Sequence, residues 1–161
     1  MALWQFSLDL IPASAATVEG TAVIRLRRDQ LDAIPLDLSS EDAGRLFGWL
    51  NRLLPEAVSW SDSLRIWGDV RKDDVKVFLS SHGIESVQYR LNAADLSIHL
   101  ISGICAIARK LGCVFASSEC GIVQPTDEAV IRAIMQSPAT RFVQDPKGFL
   151  EAAVLSDRAR G

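Results

Sequence analysis

Apolar residues in this chain recur in two periods, and the alternation between them predicts most of the fold. Trp4, Phe6, Leu8 and Leu10 alternate with Gln5, Ser7 and Asp9, which predicts a half-buried strand ended by Pro12. Ala22, Ile24 and Leu26 alternate with Val23, Arg25 and Arg27 and predict a second strand. Pro35 breaks the pattern between Asp29 and Leu38, an extended connection. The period then becomes helical. Ser39 or Ser40 is placed to cap a helix with Glu41 and Asp42 in its first turn, Ala43, Leu46, Phe47, Leu50, Leu53 and Leu54 on its apolar face, and Pro55 as its stop.

Period two returns at Leu64 to Trp67, a short strand closed by Gly68-Asp69. Val75, Val77 and Leu79, then Val87, Tyr89 and Leu91, form two alternating runs around the loop SSHG, the signature of a β-hairpin. Asn92 leads from the hairpin into the most apolar helix of the chain, expected over 93–111. Leu96, Leu100, Ile104, Ala108 and Leu111 make its stripe, Ile98, Ile101 and Cys105 widen it, and Arg109, Lys110 and Gly112 suit its C-terminus. Such a helix must be covered on most sides, and the flanking strands are the expected cover. Two short strands follow, Cys113 to Ser117 and Gly121 to Gln124, around the turn SSECG. A helix opens at Pro125-Thr126, and Ser137-Pro138 and Asp145-Pro146 each pair a capping side chain with proline at the first helical position. These predict helices from Pro138 to Val143 and from Pro146 to Leu155, with SDRARG frayed. The sum is a single α+β domain over residues 1–161: a mainly antiparallel sheet built from hairpins, a central buried helix and further helices packed on it.

Charge narrows the partners. The formal net charge is -3, and the densest basic run, Arg25, Arg27 and Arg28, is followed at once by Asp29, so a nucleic-acid role has no electrostatic support. The N-terminal run MALWQFSLDLIP lacks a basic leader region and carries Asp9, so it reads as a strand and not a signal peptide. No stretch has the length of a membrane span. The odd count of 3 cysteines fits reduced thiols in a cytoplasmic protein.

Candidate chemistry is sparse. Cys105 and Cys113 fall in expected core positions, Cys120 falls in a turn beside Glu119, and their spacing is not that of a metal site. His99 and Ser102 lie close on the central helix, but a serine inside a helix lacks a nucleophile's turn and oxyanion hole. Asp69, Asp73 and Asp74 lie among Arg71 and Lys72, which reads as a solvated turn and not a calcium loop. No glycine-rich phosphate loop or HExxH zinc motif occurs. No catalytic, cofactor-binding or metal-binding residue is therefore assigned.

The aromatic residues suggest a surface. With Val75, Val77, Leu79, Val87, Tyr89 and Leu91 facing the core, and Leu64 and Ile66 placed inward with them, the outer sheet face reads Arg65, Trp67, Lys76, Phe78, Gln88 and Arg90, with Trp60 nearby. Aromatics beside arginine are common anchors of protein interfaces. The alternative is that a helix covers this face.

The run WSDSLRIWGD, the hairpin ending YRLN, the buried helix and the tail QSPATRFVQDPKGFLE together resemble small uncharacterised bacterial α+β proteins, over about residues 59 to 151. In size, acidity and α+β make-up the chain is similar to immunity proteins of bacterial toxin systems. The outward aromatic–arginine set and the absence of a catalytic constellation point to a non-enzymatic, immunity-like domain that occludes a protein partner through the outer sheet face and the Trp60–Trp67 region. Two other functions compete: a small-ligand protein or enzyme with a pocket near His99, Ser102 and Tyr89, and a homo-oligomer whose subunits meet through the sheet face.

Overall fold

The computed structural model describes residues 2–160 and folds the alternating runs into one antiparallel sheet. Strand β1 (Gln5–Pro12) is followed by a 3-10 turn at Ala13–Ala16 and a small hairpin of β2 (Thr17–Val18) and β3 (Thr21–Ala22). Helix α1 (Arg28–Asp32) and an extended segment lead to α2 (Ser40–Leu53). Then come β4 (Glu56–Ala57), β5 (Leu64–Gly68), β6 (Asp74–Ser80) and β7 (Gly83–Asn92). Helix α3 (Ile98–Lys110), β8 (Cys113–Ser117) and β9 (Ile122–Val123) precede the terminal helices α4 (Asp127–Met135), α5 (Pro138–Gln144) and α6 (Pro146–Arg160). The seven-stranded sheet has the order β4-β5-β6-β7-β1-β8-β9. The α+β class, the single domain and the hairpins of β6 with β7 and β8 with β9 agree with the sequence reading.

The register assigns the faces. Trp67 stands opposite Val75, Val75 opposite Tyr89, and Tyr89 opposite Leu8, so these four share one face. With Phe6, Leu91 and Phe115 they pack against Leu46 and Leu50 of α2, Leu100, Ile101, Ile104 and Cys105 of α3, and Val130 and Ile134 of α4 in one core. The opposite, outer face carries a smaller core at one end only, where Ile11, Val114 and Ala116 meet Ala16 and Leu31. Helices α2, α3 and α4 thus cover the inner face, and among the described residues no helix joins a core on the outer face of β5, β6 and β7.

Caps fix where the helices start. Ser39 accepts from the Asp42 amide, Thr126 from Ala129 and Ser137 from Thr140. The central helix begins at Ile98, five residues later than expected, because Ser97 is its cap and accepts from the Leu100 amide. Asn92 instead closes a turn, its side chain accepting from the Ala94 amide. The helix ends as expected, with Gly112 at φ +65°. The strand expected at Ala22 to Leu26 shrinks to Thr21–Ala22 and a bridge from Arg25 to Gly121, and Ile24 is exposed. Part of the extended connection winds into α1, and of the run SDRARG expected to fray, helix continues to Arg160, while Gly161 lies outside the described residues. Among the described residues no helix is long and apolar enough to cross a membrane.

Candidate functional site

The residues expected to share the outer face divide between the two faces and the interior. Strand β5 runs in the opposite phase to the one expected. Leu64 faces Phe78 and Ile66 faces Lys76, so both lie on the outer face, while Arg65 and Trp67 turn toward the helices. The mixed sequence Leu-Arg-Ile-Trp fits either phase, and a one-residue choice flips every side chain. Trp67 is fully buried, stacks on Phe47 of α2 at 5.9 Å, and donates from Nε1 to Asn51 Oδ1 at 2.8 Å. It is a core residue, a correction to its place in the expected surface. Arg65 lies at the rim of that core. Its guanidinium sits 4.3 Å from the Phe47 ring centroid and 4.9 Å from that of Trp67, and donates to both carboxylate oxygens of Glu56. This bond holds the Glu56 carboxyl below its ordinary pKa.

Arg90 is on the outer face but is also buried. Its Nε donates to Asp74 Oδ1 at 2.8 Å and its terminal nitrogen to Asp74 Oδ2, a bidentate pair in which Asp74 has no exposed area. Asp74 is therefore not part of a solvated turn. The turn before it is tied down: Gln5 Nε2 donates to the carbonyls of Val70 and Lys72, and Asp73 accepts from the Asn92 amide.

What remains on the open part of this face is Lys76, Phe78 and Gln88, all half-buried, together with Trp60. Trp60 is 71% exposed, and the Lys76 ammonium lies 5.3 Å from its ring centroid. Lys76 has a lowered pKa, chiefly through burial and then through Arg90. Leu64 and Ile66 are buried on this face without joining either core, opposite Phe78 and Lys76.

Beside this patch runs a groove of about 710 Å³. Its floor holds Ile11, Leu31 and Ala116; one wall is the extended segment 33–38 and the other the start of β7 with Ser80 and His82. Asp9, Asp32, Asp37 and Glu85 line it, against Arg28 and His82. Burial pushes the Asp9 carboxyl upward, opposed by Arg28. Sequence reading missed the groove because it forms where β1 parts from β7, a tertiary event without a local signal. A second cavity of about 430 Å³, lined by Leu3, Phe6, Val123 and Phe149 among others, lies near the start of β1.

The expected pocket at His99 does not assemble. His99 is exposed, Ser102 Oγ is committed to Asp127 Oδ2 at 2.5 Å, and Tyr89 is fully buried against Phe115. None of the three lines either cavity. Burial raises the thiols of Cys105 and Cys113 to about 11, which leaves them protonated and unreactive near neutral pH. Among the described residues no group of three His, Cys, Asp or Glu side chains is placed to hold a metal ion.

Fold and surface together define an α+β domain with one helix-covered and one partly open sheet face. No family model, curated protein or solved structure matches the chain.

Proposed function

We propose that this is a non-enzymatic, cytoplasmic protein-binding domain, immunity-like in manner, that occludes a basic protein partner through the outer face of its sheet. The observation that carries the reading is Trp60, a large aromatic that is 71% exposed and held over Lys76 on the part of the face where no described helix joins a core. A pre-positioned aromatic is an efficient interface anchor, since little side-chain entropy is lost when it is covered. Phe78 and Gln88 extend the patch, and the carboxylates of the adjoining groove favour a basic partner.

The test compares wild type with the double variant Trp60→Ala/Phe78→Ala. Partners captured by the wild-type protein from its native host are purified and titrated against both. A drop in affinity of about tenfold or more, with unchanged thermal unfolding, supports the surface. If every partner binds both proteins equally, the outer face is not the interface.

A further inference from the structure

We infer that an extended segment of the partner, carrying lysine or arginine, adds as a strand to the open edge of β7 in the groove between β7 and β1. This rests on the reading of the outer face as a protein-binding surface and specifies how that face engages its partner.

The ladder supplies the first observation. Strand β1 pairs with β7 from Gln5↔Asn92 to Asp9↔Gln88, and there the pairing stops. Strand β1 continues to Pro12 paired with β8 alone, and β7 extends back to Gly83 paired with β6 alone. Residues 83–87 therefore have a strand on one side only. Such an edge is a template for strand addition.

A β-bulge supplies the second. Phe78 pairs with Ser86 and Leu79 with Ile84, so Glu85 is the extra residue. Bulges bend the strand that carries them and re-aim its side chains. Here the bulge lies three residues beyond Gln88, the last β7 residue paired with β1, and Glu85 lines the groove.

Charge supplies the third. Asp9, Asp32, Asp37 and Glu85 line the groove, and none forms an ion pair with another described residue. Among the described residues Arg28 is the one cation in the lining; it acts on Asp9 and also donates to the Ser118 carbonyl at 2.6 Å, so the carboxylates of Asp32, Asp37 and Glu85 outnumber it. Successive side chains of an added strand point to opposite faces. A segment alternating apolar and basic residues turns all its basic side chains to one face, and on the outer face they meet Asp9, which stands opposite Ala116 beside the apolar floor.

The experiment titrates the full chain with three short labelled peptides: one alternating lysine and valine, one alternating glutamate and valine, and a backbone N-methylated copy of the first. Fluorescence anisotropy reads affinity, and amide NMR shifts read location. The lysine peptide is expected to bind and to shift the amides of Ile84, Glu85 and Ser86. The glutamate and N-methylated peptides are expected to bind at least about tenfold more weakly, as is the lysine peptide to the variant Asp32→Lys/Glu85→Lys. Absence of binding by the lysine peptide, equal binding by the N-methylated copy, or shifts confined to another surface would overturn the inference. A native partner lost on Trp60→Ala/Phe78→Ala but kept by Asp32→Lys/Glu85→Lys would overturn strand addition and leave the outer-face reading standing. The reverse pattern would confine binding to the groove.

Discussion

Removing the carboxylate of Asp74 should be among the most damaging single changes in this protein. Asp74 is fully buried, the Arg90 side chain is 11% exposed, and the two are joined by paired hydrogen bonds. Asp74→Ala leaves a guanidinium in the interior without its counter-charge, and breaking a buried pair from one side costs about 3–5 kcal/mol. In a domain of this size that corresponds to a fall in Tm of about 10 °C. Replacing both partners, as Asp74→Leu/Arg90→Met, removes the unpaired charge with the pair and should restore stability to within about 1–2 kcal/mol of wild type. Urea unfolding followed by circular dichroism and by tryptophan fluorescence measures all three proteins and checks that the transitions coincide. A loss below about 1 kcal/mol for Asp74→Ala would mean the pair is screened like a surface ion pair. A double variant as unstable as the single would mean that packing, not charge, is lost. The first result would refute the assignment of Arg90 to the interior and return it to the candidate surface; the second would keep Arg90 buried and refute the charge argument.

Three further outcomes follow from the packing. Gly103 faces Leu53 of α2 so closely that a Cβ there would collide with the leucine side chain, so Gly103→Val should cost about 1–3 kcal/mol; thermal unfolding should show part of it recovered by adding Leu53→Ala. Asp9 has a raised pKa, so the native state holds its proton more tightly than the unfolded chain and the charged form is a penalty above the native pKa. Asp9→Asn should therefore stabilise the protein at neutral pH and lose that advantage as pH falls through the raised native pKa towards 3.8, and denaturation across pH that showed a loss at neutral pH would contradict the burial argument. Alkylation of the native protein at mildly alkaline pH should modify Cys120 first, because Cys105 and Cys113 are buried with thiols raised to about 11; mass spectrometry showing equal rates at all three would exclude that.

The parts of the fold legible in the sequence were those with a strong local signal. Ser39 or Ser40 before Glu41 and Asp42, Thr126 before Asp127 and Glu128, and Ser137 before Pro138 marked helix starts, and in the structure Ser39, Thr126 and Ser137 each accept an amide hydrogen bond. Asn92 carried the same signal and misled, because its bond to the Ala94 amide closes a turn that Ser97 then follows with the true cap. The candidate surface was legible only in part. Lys76, Phe78 and Gln88 belong to strands whose alternation is clean, and they reach the outer face. Strand β5 has Leu64, Ile66 and Trp67 all buried, so hydrophobicity alone could not choose its phase; stacking of Trp67 on Phe47, 20 positions away in sequence, goes with the opposite one. Arg90 and Asp74 read as polar surface because nothing local announces that Gln5 draws the preceding turn against that end of the sheet.

The ends of the sheet bear on where a partner strand can join. A long bare edge strand accepts any extended chain, which makes it an aggregation hazard. Here the edge strands are β4 and β9, each of 2 residues, and the bridge from Arg25 to Gly121 lies at the β9 end. Neither end offers the run of hydrogen bonds that strand addition needs. The open stretch of β7 is longer and lies inside the sheet, between β6 and the departing β1. A chain that adds there must fit between the hairpin turn and segment 33–38 and match carboxylates on the groove walls. Under the proposed strand addition, shape and charge would select the entrant at the open edge, while brevity closes the two edges that have no means of selection. The proposed strand addition would give a specific site without the general stickiness of a bare edge, and it makes Glu85, the bulged residue on the unpaired stretch of β7, the position where one reversal of charge should most change what is admitted.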